Sequence, residues 1–239
     1  MIEISKVTKT YSGRVKAVDD ISFTVEPGCI YGFLGPNGAG KTTTIKLIAG
    51  IIRPDSGMIS VCGHDTSREA LAAKMSIGFV PDDPNAFLHL KGVEYLKFMG
   101  DIYEVDAKQR REIIGNLAER FEMEKALGDK IQSYSHGMRQ KIVIMGALMH
   151  RPKVWLLDEP MTGLDPKSAF ELKSMMREHA DTGSTVFFST HVLEVAEKLC
   201  DSLAVISAGH ILYAGSMDGL KAHGGESLEK LFLEMTENA

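Results

Sequence analysis

Long apolar segments are missing from this 239-residue sequence. A helix that crosses a bilayer needs about 20 consecutive apolar residues, and the best apolar run, residues 142–149, is far shorter. The first residues also lack the basic region and apolar stretch that mark a signal peptide. We therefore expect a protein that is soluble by itself and that takes part in membrane processes only through a partner.

Cysteine and clustered basic residues are also scarce. Cys29, Cys62 and Cys200 are far apart and form no CxxC pair, which argues against a disulfide framework or a zinc site and favours reduced thiols. No run of five Lys or Arg occurs, and 32 acidic residues against 27 basic ones give a net charge of −5. Nucleic acid is therefore not an expected partner.

Apolar residues make up 44% of the chain, enough for a substantial core. Short strand-like runs alternate with helix-like segments, which indicates an α/β protein with a mostly parallel sheet. Residues 203–207 and 211–213 form a predicted hairpin. The other strand-like runs are residues 2–7, 21–25, 29–34, 58–61, 77–80, 154–157, 185–189 and 202–206.

Helical periodicity dominates the middle of the chain and predicts helices over 93–103, 107–123 and 137–149. We interpret residues 85–150 as a helical subdomain inserted into an α/β core formed by 1–84 and 151–215. Residues 216–239 are a predicted helical extension, with a loose linker at Gly224-Gly225 and a helix over 227–235.

A glycine-rich loop follows the apolar run 30–34 and precedes a helical run, and it fits the pattern GxxxxGK[ST]. Backbone N–H groups of such a loop converge on phosphate at a helix N-terminus. Lys41 would reach the β- and γ-phosphates, Thr42 would bind Mg²⁺, and Thr43 would contact the α-phosphate. A chance glycine-rich turn is disfavoured by the strand–loop–helix context. The predicted phosphate-binding residues are Gly35, Pro36, Asn37, Gly38, Ala39, Gly40, Lys41, Thr42 and Thr43.

Two acids end the apolar run 154–157, at the sheet edge where α/β proteins bind ligands. Asp158 is the predicted Mg²⁺ ligand, and Glu159 is placed to act as general base toward a water molecule. Two solvated acids are the alternative, which the phosphate loop makes improbable.

Four further motifs occur in a fixed order: Tyr-Ser-His-Gly-Met-Arg-Gln at 134–140, Asp-Glu-Pro at 158–160, Gly-Leu-Asp-Pro at 163–166 and Ser-Thr-His at 189–191. With them, residues 1–216 resemble the nucleotide-binding subunit of an ABC transporter. The signature form is similar to that of bacterial drug- and antibiotic-resistance exporters. The resemblance implies a P-loop NTPase core with a mostly parallel sheet, an N-terminal antiparallel β subdomain and an inserted α-helical subdomain.

The resemblance also implies a head-to-tail dimer, homo- or heteromeric, with two ATP molecules between its subunits. Ser135 can cap the helix that begins near Gly137, and both residues would contact the γ-phosphate held by the other subunit. Asp165 would lie along the dimer interface, and His191 would reach the γ-phosphate and the attacking water. A capped helix and a structural histidine are the alternatives for these residues taken singly.

For adenine, the resemblance implies stacking on Tyr11, with Val18 as a weaker candidate; an exposed tyrosine without function is the alternative. Asp82 stands where most relatives carry glutamine. It can accept a hydrogen bond from a Mg²⁺-bound water but cannot donate one, so a metal role is predicted beside the alternative of a plain turn. His136 and Met138 also depart from the common signature.

The sequence thus predicts an ATPase that uses ATP and Mg²⁺ to drive export, at the cytoplasmic face of the cell membrane. A transmembrane permease subunit would dock near residues 82–103. A soluble ABC-type ATPase acting on DNA or the ribosome is the alternative, disfavoured by the acidity and by the lack of a long coiled-coil insertion. A regulatory, non-catalytic cassette conflicts with the intact motifs, and a GTPase lacks its Asn-Lys-x-Asp sequence.

Overall fold

The computed structural model describes residues 1–11, 15–222, 229, 230 and 232. Strands and helices alternate through most of this part of the chain. The strands are β1 (Ile2–Tyr11), β2 (Val15–Val25), β3 (Ile30–Leu34), β4 (Ser56–Val61), β5 (His64–Asp65), β6 (Ile77–Val80), β7 (Val154–Leu157), β8 (Thr185–Thr190), β9 (Ser202–Ser207) and β10 (His210–Ser216). The helices are α1 (Lys41–Ile48), α2 (Ala70–Met75), α3 (Gly92–Ile102), α4 (Ala107–Arg120), α5 (His136–Ala147), α6 (Pro166–Asp181), α7 (Leu193–Leu199) and α8 (Met217–Ala222).

The strands form two sheets. The six-stranded sheet has the order β10-β9-β3-β8-β7-β6, and all its pairings are parallel except the β9–β10 hairpin. Every residue of β3, β7 and β8 is buried, as expected for parallel strands covered on both faces. The carboxyl ends of these three strands therefore meet at one edge of the sheet, next to the predicted phosphate loop and acids.

The four-stranded sheet, order β2-β1-β4-β5, is antiparallel. Its β1 strand alternates buried Ile2 and Ile4 with exposed Glu3 and Ser5, so one face lies on the core. Phe23 of β2 stacks on aromatic rings of the large sheet, including Phe187 at 6.2 Å between ring centroids. The predicted antiparallel N-terminal sheet and mostly parallel second sheet are confirmed.

Three helices occupy the middle of the chain, α3, α4 and α5, and we call them the helical region. No strand occurs there within the described residues, although Lys91 and Lys130 form an isolated bridge. Asp106 caps α4 by accepting hydrogen bonds from the backbone N–H groups of Lys108 and Gln109. The predicted helices agree with α3, α4 and α5 to within a few residues. The division into subdomains at 85 and 150 stays a prediction.

Several elements were not expected from the sequence. The strand β1 extends to Tyr11 because it pairs with β2 as far as Val15, and β5 and α2 are too short to give a periodic signal. The helix α8 begins the predicted C-terminal extension. The predicted linker at Gly224-Gly225 and the helix over 227–235 lie outside the described residues, apart from 229, 230 and 232. No helix in the described part of the chain has the length and apolar character needed to cross a membrane.

Candidate functional site

The loop between β3 and α1 encloses its own lysine. Gly38 and Gly40 have φ values of 80° and 110°, a region that other residues rarely adopt. A Cβ on Gly40 would lie 2.3 Å from the carbonyl oxygen of Ala17, so only glycine fits. Lys41 Nζ donates to the carbonyl oxygen of Gly35 at 2.8 Å, and this side chain is 7% exposed. Its positive charge is therefore held within the loop, where it suits phosphate oxygens.

Two carboxylates follow β7 at the same edge of the sheet. Asp158 is fully buried, and Ser189 Oγ, near the end of β8, donates to its Oδ1 at 2.6 Å. The Glu159 backbone N–H donates to the same Ser189 oxygen at 3.0 Å. Glu159 has a φ of 47°, a left-handed conformation that costs about 1–2 kcal/mol for a non-glycine residue. Ser189 thus links the two strand ends and helps hold Glu159 in its strained conformation.

The environment of Asp158 suits a bound cation. Burial raises the pKa of Asp158, the hydrogen bond from Ser189 and the nearby Thr42 hydroxyl oppose that shift, and the charges of Asp82 and Glu159 add to it. Its Oδ2 is buried and accepts no hydrogen bond. Mg²⁺ is bound by one or two carboxylates together with phosphate and water oxygens. Within the described residues, no group of three or more His, Cys, Asp or Glu side chains is arranged to hold a metal ion.

Glu159 lies between a lysine and an imidazole. Its Oε1 is 3.4 Å from Lys41 Nζ, and its Oε2 is 3.0 Å from His191 Nδ1. The Glu159 side chain is 20% exposed and His191 is 56% exposed, so solvent reaches both groups. A carboxylate that is oriented on both oxygens and accessible to water is suited to accept a proton from water.

A cavity of about 260 Å³ lies between the loop and these strand ends. It brings together Asp82 and Glu159 with the residues of the loop. Gly35, Pro36 and Ala39 of the predicted set do not line the cavity; Gly35 and Pro36 instead accept hydrogen bonds from Lys41. The lining residues are Ala17, Asn37, Gly38, Gly40, Lys41, Thr42, Thr43, Asp82 and Glu159.

The two residues predicted to contact adenine, Tyr11 and Val18, lie in different surroundings. Tyr11 ends β1 and is 44% exposed, so its ring face is available, although it does not line the cavity. Val18 is fully buried in the core beneath the N-terminal sheet. Because side chains alternate along β2, it is the neighbouring Ala17 that faces the cavity. The prediction that Val18 contacts adenine is therefore wrong.

The helix α5 begins with the predicted cap. Ser135 accepts a hydrogen bond from the backbone N–H of Met138 at 3.3 Å. Ser135 is exposed, and neither Ser135 nor Gly137 lines the cavity of its own chain. A Cβ on Gly137 would lie 2.7 Å from the carbonyl oxygen of Gly163, so glycine at this position also has a packing reason.

The segment after Glu159 packs against this helix start. Gly163 has a φ of 76°, and a Cβ there would overlap the ring of His136, which fills the space beside it. Asp165 caps α6, accepting hydrogen bonds from Ser168 N at 3.0 Å and Ser168 Oγ at 2.6 Å, and lies 3.3 Å from Lys141 Nζ. These contacts lower the pKa of Asp165 well below its usual value. The position of Asp165 is thus fixed by its own chain.

Two residues of the site were not predicted. Ser189 bonds both acids, whereas the sequence offered it only as the first residue of the Ser-Thr-His motif at 189–191, with no role of its own. Ala17 lines the cavity with no sequence signal.

Comparison with known proteins agrees with this geometry. The ABC transporter family model matches residues 18–162. The daunorubicin resistance ATP-binding protein DrrA3 of Streptomyces coeruleorubidus is 36% identical over 98% of this chain and 74% of its own length. The ABC transporter ATP-binding protein NatA of Bacillus subtilis (strain 168) is 33% identical over 98% of this chain and 97% of its own length. A solved ATP-binding subunit of an ABC transporter, 29% identical, superposes with a TM-score of 0.93 over 98% of this chain and 99% of its own. The chain belongs to the ABC transporter family, as an ATP-binding subunit that hydrolyses ATP.

Proposed function

We propose that ATP hydrolysis by this chain drives export of a substrate through separate transmembrane subunits. The observation that carries the proposal is the contact of Glu159 with both Lys41 and His191 beside a buried Asp158. A subunit that only binds nucleotide has no need of this strained and solvent-accessible carboxylate. The similarity to DrrA3, a daunorubicin resistance protein, supports the export direction.

In the proposed mechanism, Lys41 and the loop N–H groups bind the phosphates. Thr42, Asp158 and Asp82 would hold Mg²⁺, which when bound neutralises phosphate charge. Glu159 accepts a proton from the attacking water while the water oxygen bonds to the γ-phosphorus and the bond to the β-phosphate oxygen breaks, which releases ADP. His191 Nδ1 holds the Glu159 carboxylate in orientation through their 3.0 Å contact.

We further propose that two ATPase subunits, identical or different, share each nucleotide. Ser135 is exposed and lies outside the cavity of its own chain, and the first N–H groups of a helix such as α5 have no partner within the helix. Such a helix end attracts anions. Ser135 and Gly137 are therefore available to the γ-phosphate bound by a second subunit, and Asp165 would lie along the interface between the two subunits.

Tyr11→Ala is expected to weaken ATP binding about tenfold, because stacking of a base on an aromatic ring contributes about 1–3 kcal/mol. Tyr11→Phe keeps the ring and is the matched control, with affinity close to that of the unmodified protein. Calorimetric titration of ATP into each variant measures the dissociation constants. Equal affinities for all three proteins would show that adenine binds elsewhere.

An exposed aromatic surface formed by α3 and the loop before it supports docking of a membrane subunit. Phe87 and Phe98 are 47% and 41% exposed, with ring centroids 5.6 Å apart. With His89 and Leu90 they line an apolar groove of about 420 Å³. We call these four residues the phenylalanine groove. Exposed apolar surface of this kind commonly marks a protein–protein contact, and we assign it to a helix of the transmembrane subunit. That subunit would hold the chain at the cytoplasmic face of the membrane.

The phenylalanine groove is also connected to the start of α5. Arg139 Nη1 donates to the side-chain oxygen of Asn85 at 2.6 Å, and its Nη2 donates to the carbonyl oxygen of Gln132 at 2.8 Å. The segment that leads from Asp82 to the groove is therefore bonded to the helix that carries the signature.

Copurification tests the proposal. The tagged chain, extracted from its native cell in mild detergent, is expected to bring down a multi-span membrane protein in stoichiometric amount. Phe98→Asp is expected to abolish this association and leave basal ATP turnover unchanged, because Phe98 is remote in sequence from the motifs and does not line the nucleotide cavity. Leu71→Asp, at a 76% exposed position on α2, is the matched control. Copurification of ribosomal or DNA-bound partners without a membrane protein would contradict the transport function.

A further inference from the structure

A second cavity, of about 730 Å³, lies between α4 of the helical region and α6 of the core. It shares no lining residue with the nucleotide cavity. Apolar side chains from several elements form much of its wall, among them Ile113, Leu117, Pro152 and Met175. Its volume is in the range of sites that bind drug-sized molecules.

Two residues that line this cavity, Trp155 and His179, carry buried ring nitrogen atoms without partners. Trp155 of β7 is fully buried, and its indole Nε1 has no hydrogen-bond partner among the described residues. The buried Nε2 of His179, on α6, also has none, and the two rings meet edge to face at 5.6 Å. An indole N–H can only donate, so a molecule that satisfies it must offer an acceptor.

The charges around the cavity are balanced. Arg120 and Arg151 line it together with Glu112 and Glu178. Arg120 is bonded to Glu178 through two nitrogen atoms, at 2.8 and 2.7 Å, and joins α4 to α6 there. Burial also lowers the pKa of His179 to about 4, so this imidazole is neutral at pH 7. Two positive and two negative side chains give no net charge, which favours an uncharged ligand.

We propose that this cavity is a second ligand site, for an uncharged aromatic molecule whose ketone or amide oxygen accepts the Trp155 N–H. The aromatic part would pack against the apolar wall between α4 and α6. The site is independent of the transport proposal, because none of its residues takes part in nucleotide binding or in the phenylalanine groove.

Trp155 makes the site directly observable, since it is the one tryptophan in the sequence. The probe is prodan, a neutral naphthyl ketone whose absorption overlaps tryptophan emission. Titration of prodan into the full chain is expected to quench Trp155 emission and to sensitise prodan emission, with saturation at one molecule per chain. Prodan excited directly reports binding in variants that lack the tryptophan.

Matched variants separate this site from general adhesion to apolar surface. Ile113→Tyr places a ring in the cavity and is expected to abolish binding. Ile114→Tyr alters the next residue, which is also half-buried but does not line the cavity, and should preserve it. Trp155→Phe keeps an aromatic ring without the N–H and should weaken binding about three- to tenfold, the value of one hydrogen bond.

Three outcomes would overturn the proposal. They are the absence of saturable binding up to the solubility of prodan, equal affinity in the Ile113→Tyr and Ile114→Tyr variants, and loss of binding in Phe98→Asp. The last result would place the probe in the phenylalanine groove. The Ile113 and Ile114 variants keep the test informative if Trp155→Phe does not fold.

Discussion

Replacing Glu159 by glutamine is expected to lower ATP turnover by about 10²–10⁴-fold, the usual contribution of a general base. The amide keeps the shape of the side chain but cannot accept the proton of the attacking water. ATP binding should persist, because the phosphate loop and Asp158 are unchanged. If two subunits enclose ATP as proposed, the variant should also accumulate as an ATP-bound dimer. Phosphate release and light scattering in the presence of Mg²⁺ and ATP measure the two effects.

The control for this experiment is Glu119→Gln, which removes an exposed carboxylate of α4. It should change neither the ATP turnover nor the particle mass measured by light scattering. Turnover close to normal in Glu159→Gln would disprove the assignment of the base. A large loss of turnover without an increase in particle mass would support Glu159 as the general base. It would contradict the proposal that two subunits enclose ATP.

Replacing Asp158 by asparagine is expected to have opposite effects on activity and stability. Turnover should fall at least about 10²-fold, because a bound metal ion supplies several kcal/mol of charge stabilisation and the amide is a poorer ligand. The nucleotide- and metal-free protein should become more stable by about 1 kcal/mol, since burying a neutral amide costs less than burying an ionised carboxylate. For a chain of this size that gain raises Tm by about 2–4 °C.

The sign of the stability effect follows from the pKa of Asp158. Burial raises the pKa of this carboxyl in the folded chain above its ordinary value of 3.8. An acid with a raised folded pKa binds more protons in the folded state, so its contribution to stability is lost as the pH rises from the unfolded pKa to the folded pKa. At neutral pH the ionised side chain therefore destabilises the metal-free fold, and asparagine removes that contribution.

Calorimetric Tm values without Mg²⁺ and nucleotide, at neutral pH, test the prediction. Asp129→Asn, at an exposed position, should change neither Tm nor turnover. A lower Tm in Asp158→Asn would show that the hydrogen bond from Ser189 outweighs the burial of the charge. Normal Mg²⁺-dependent turnover would exclude Asp158 from the metal site.

The sequence predicts well those features that depend on consecutive residues. The apolar runs of β7 and β8 identify buried strands without any tertiary information. The phosphate loop is recognisable because its glycines, lysine and threonine occupy fixed positions. The strands of the large sheet were therefore predictable. So was the placement of Lys41 and Glu159 at one edge of that sheet.

Contacts between distant segments were less predictable. The bond from Ser189 to Asp158 spans 31 residues and depends on the parallel pairing of β7 with β8. Whether Ala17 or Val18 faces the nucleotide cavity depends on which side chains of β2 point inward. The sequence did not reveal this, because β2 begins at Val15, earlier than the predicted strand. The close approach of Gly137 to Gly163 depends on how two loops pack, which no local pattern specifies.

The guanidinium of Arg139 has a consequence for communication within the transporter. Its hydrogen bonds join the segment of Asn85, which leads to the phenylalanine groove, to the first turns of α5. Displacement of that segment by a membrane subunit would therefore shift the helix end offered to the second subunit's ATP. The signal would pass along the rim of the molecule, and the parallel sheet that holds Lys41 and Asp158 could stay fixed. Transport and nucleotide sharing would then be coupled in part through the Arg139 side chain, beside the backbone hydrogen bonds from Ile131 and Gln132 to Leu90 and Leu88.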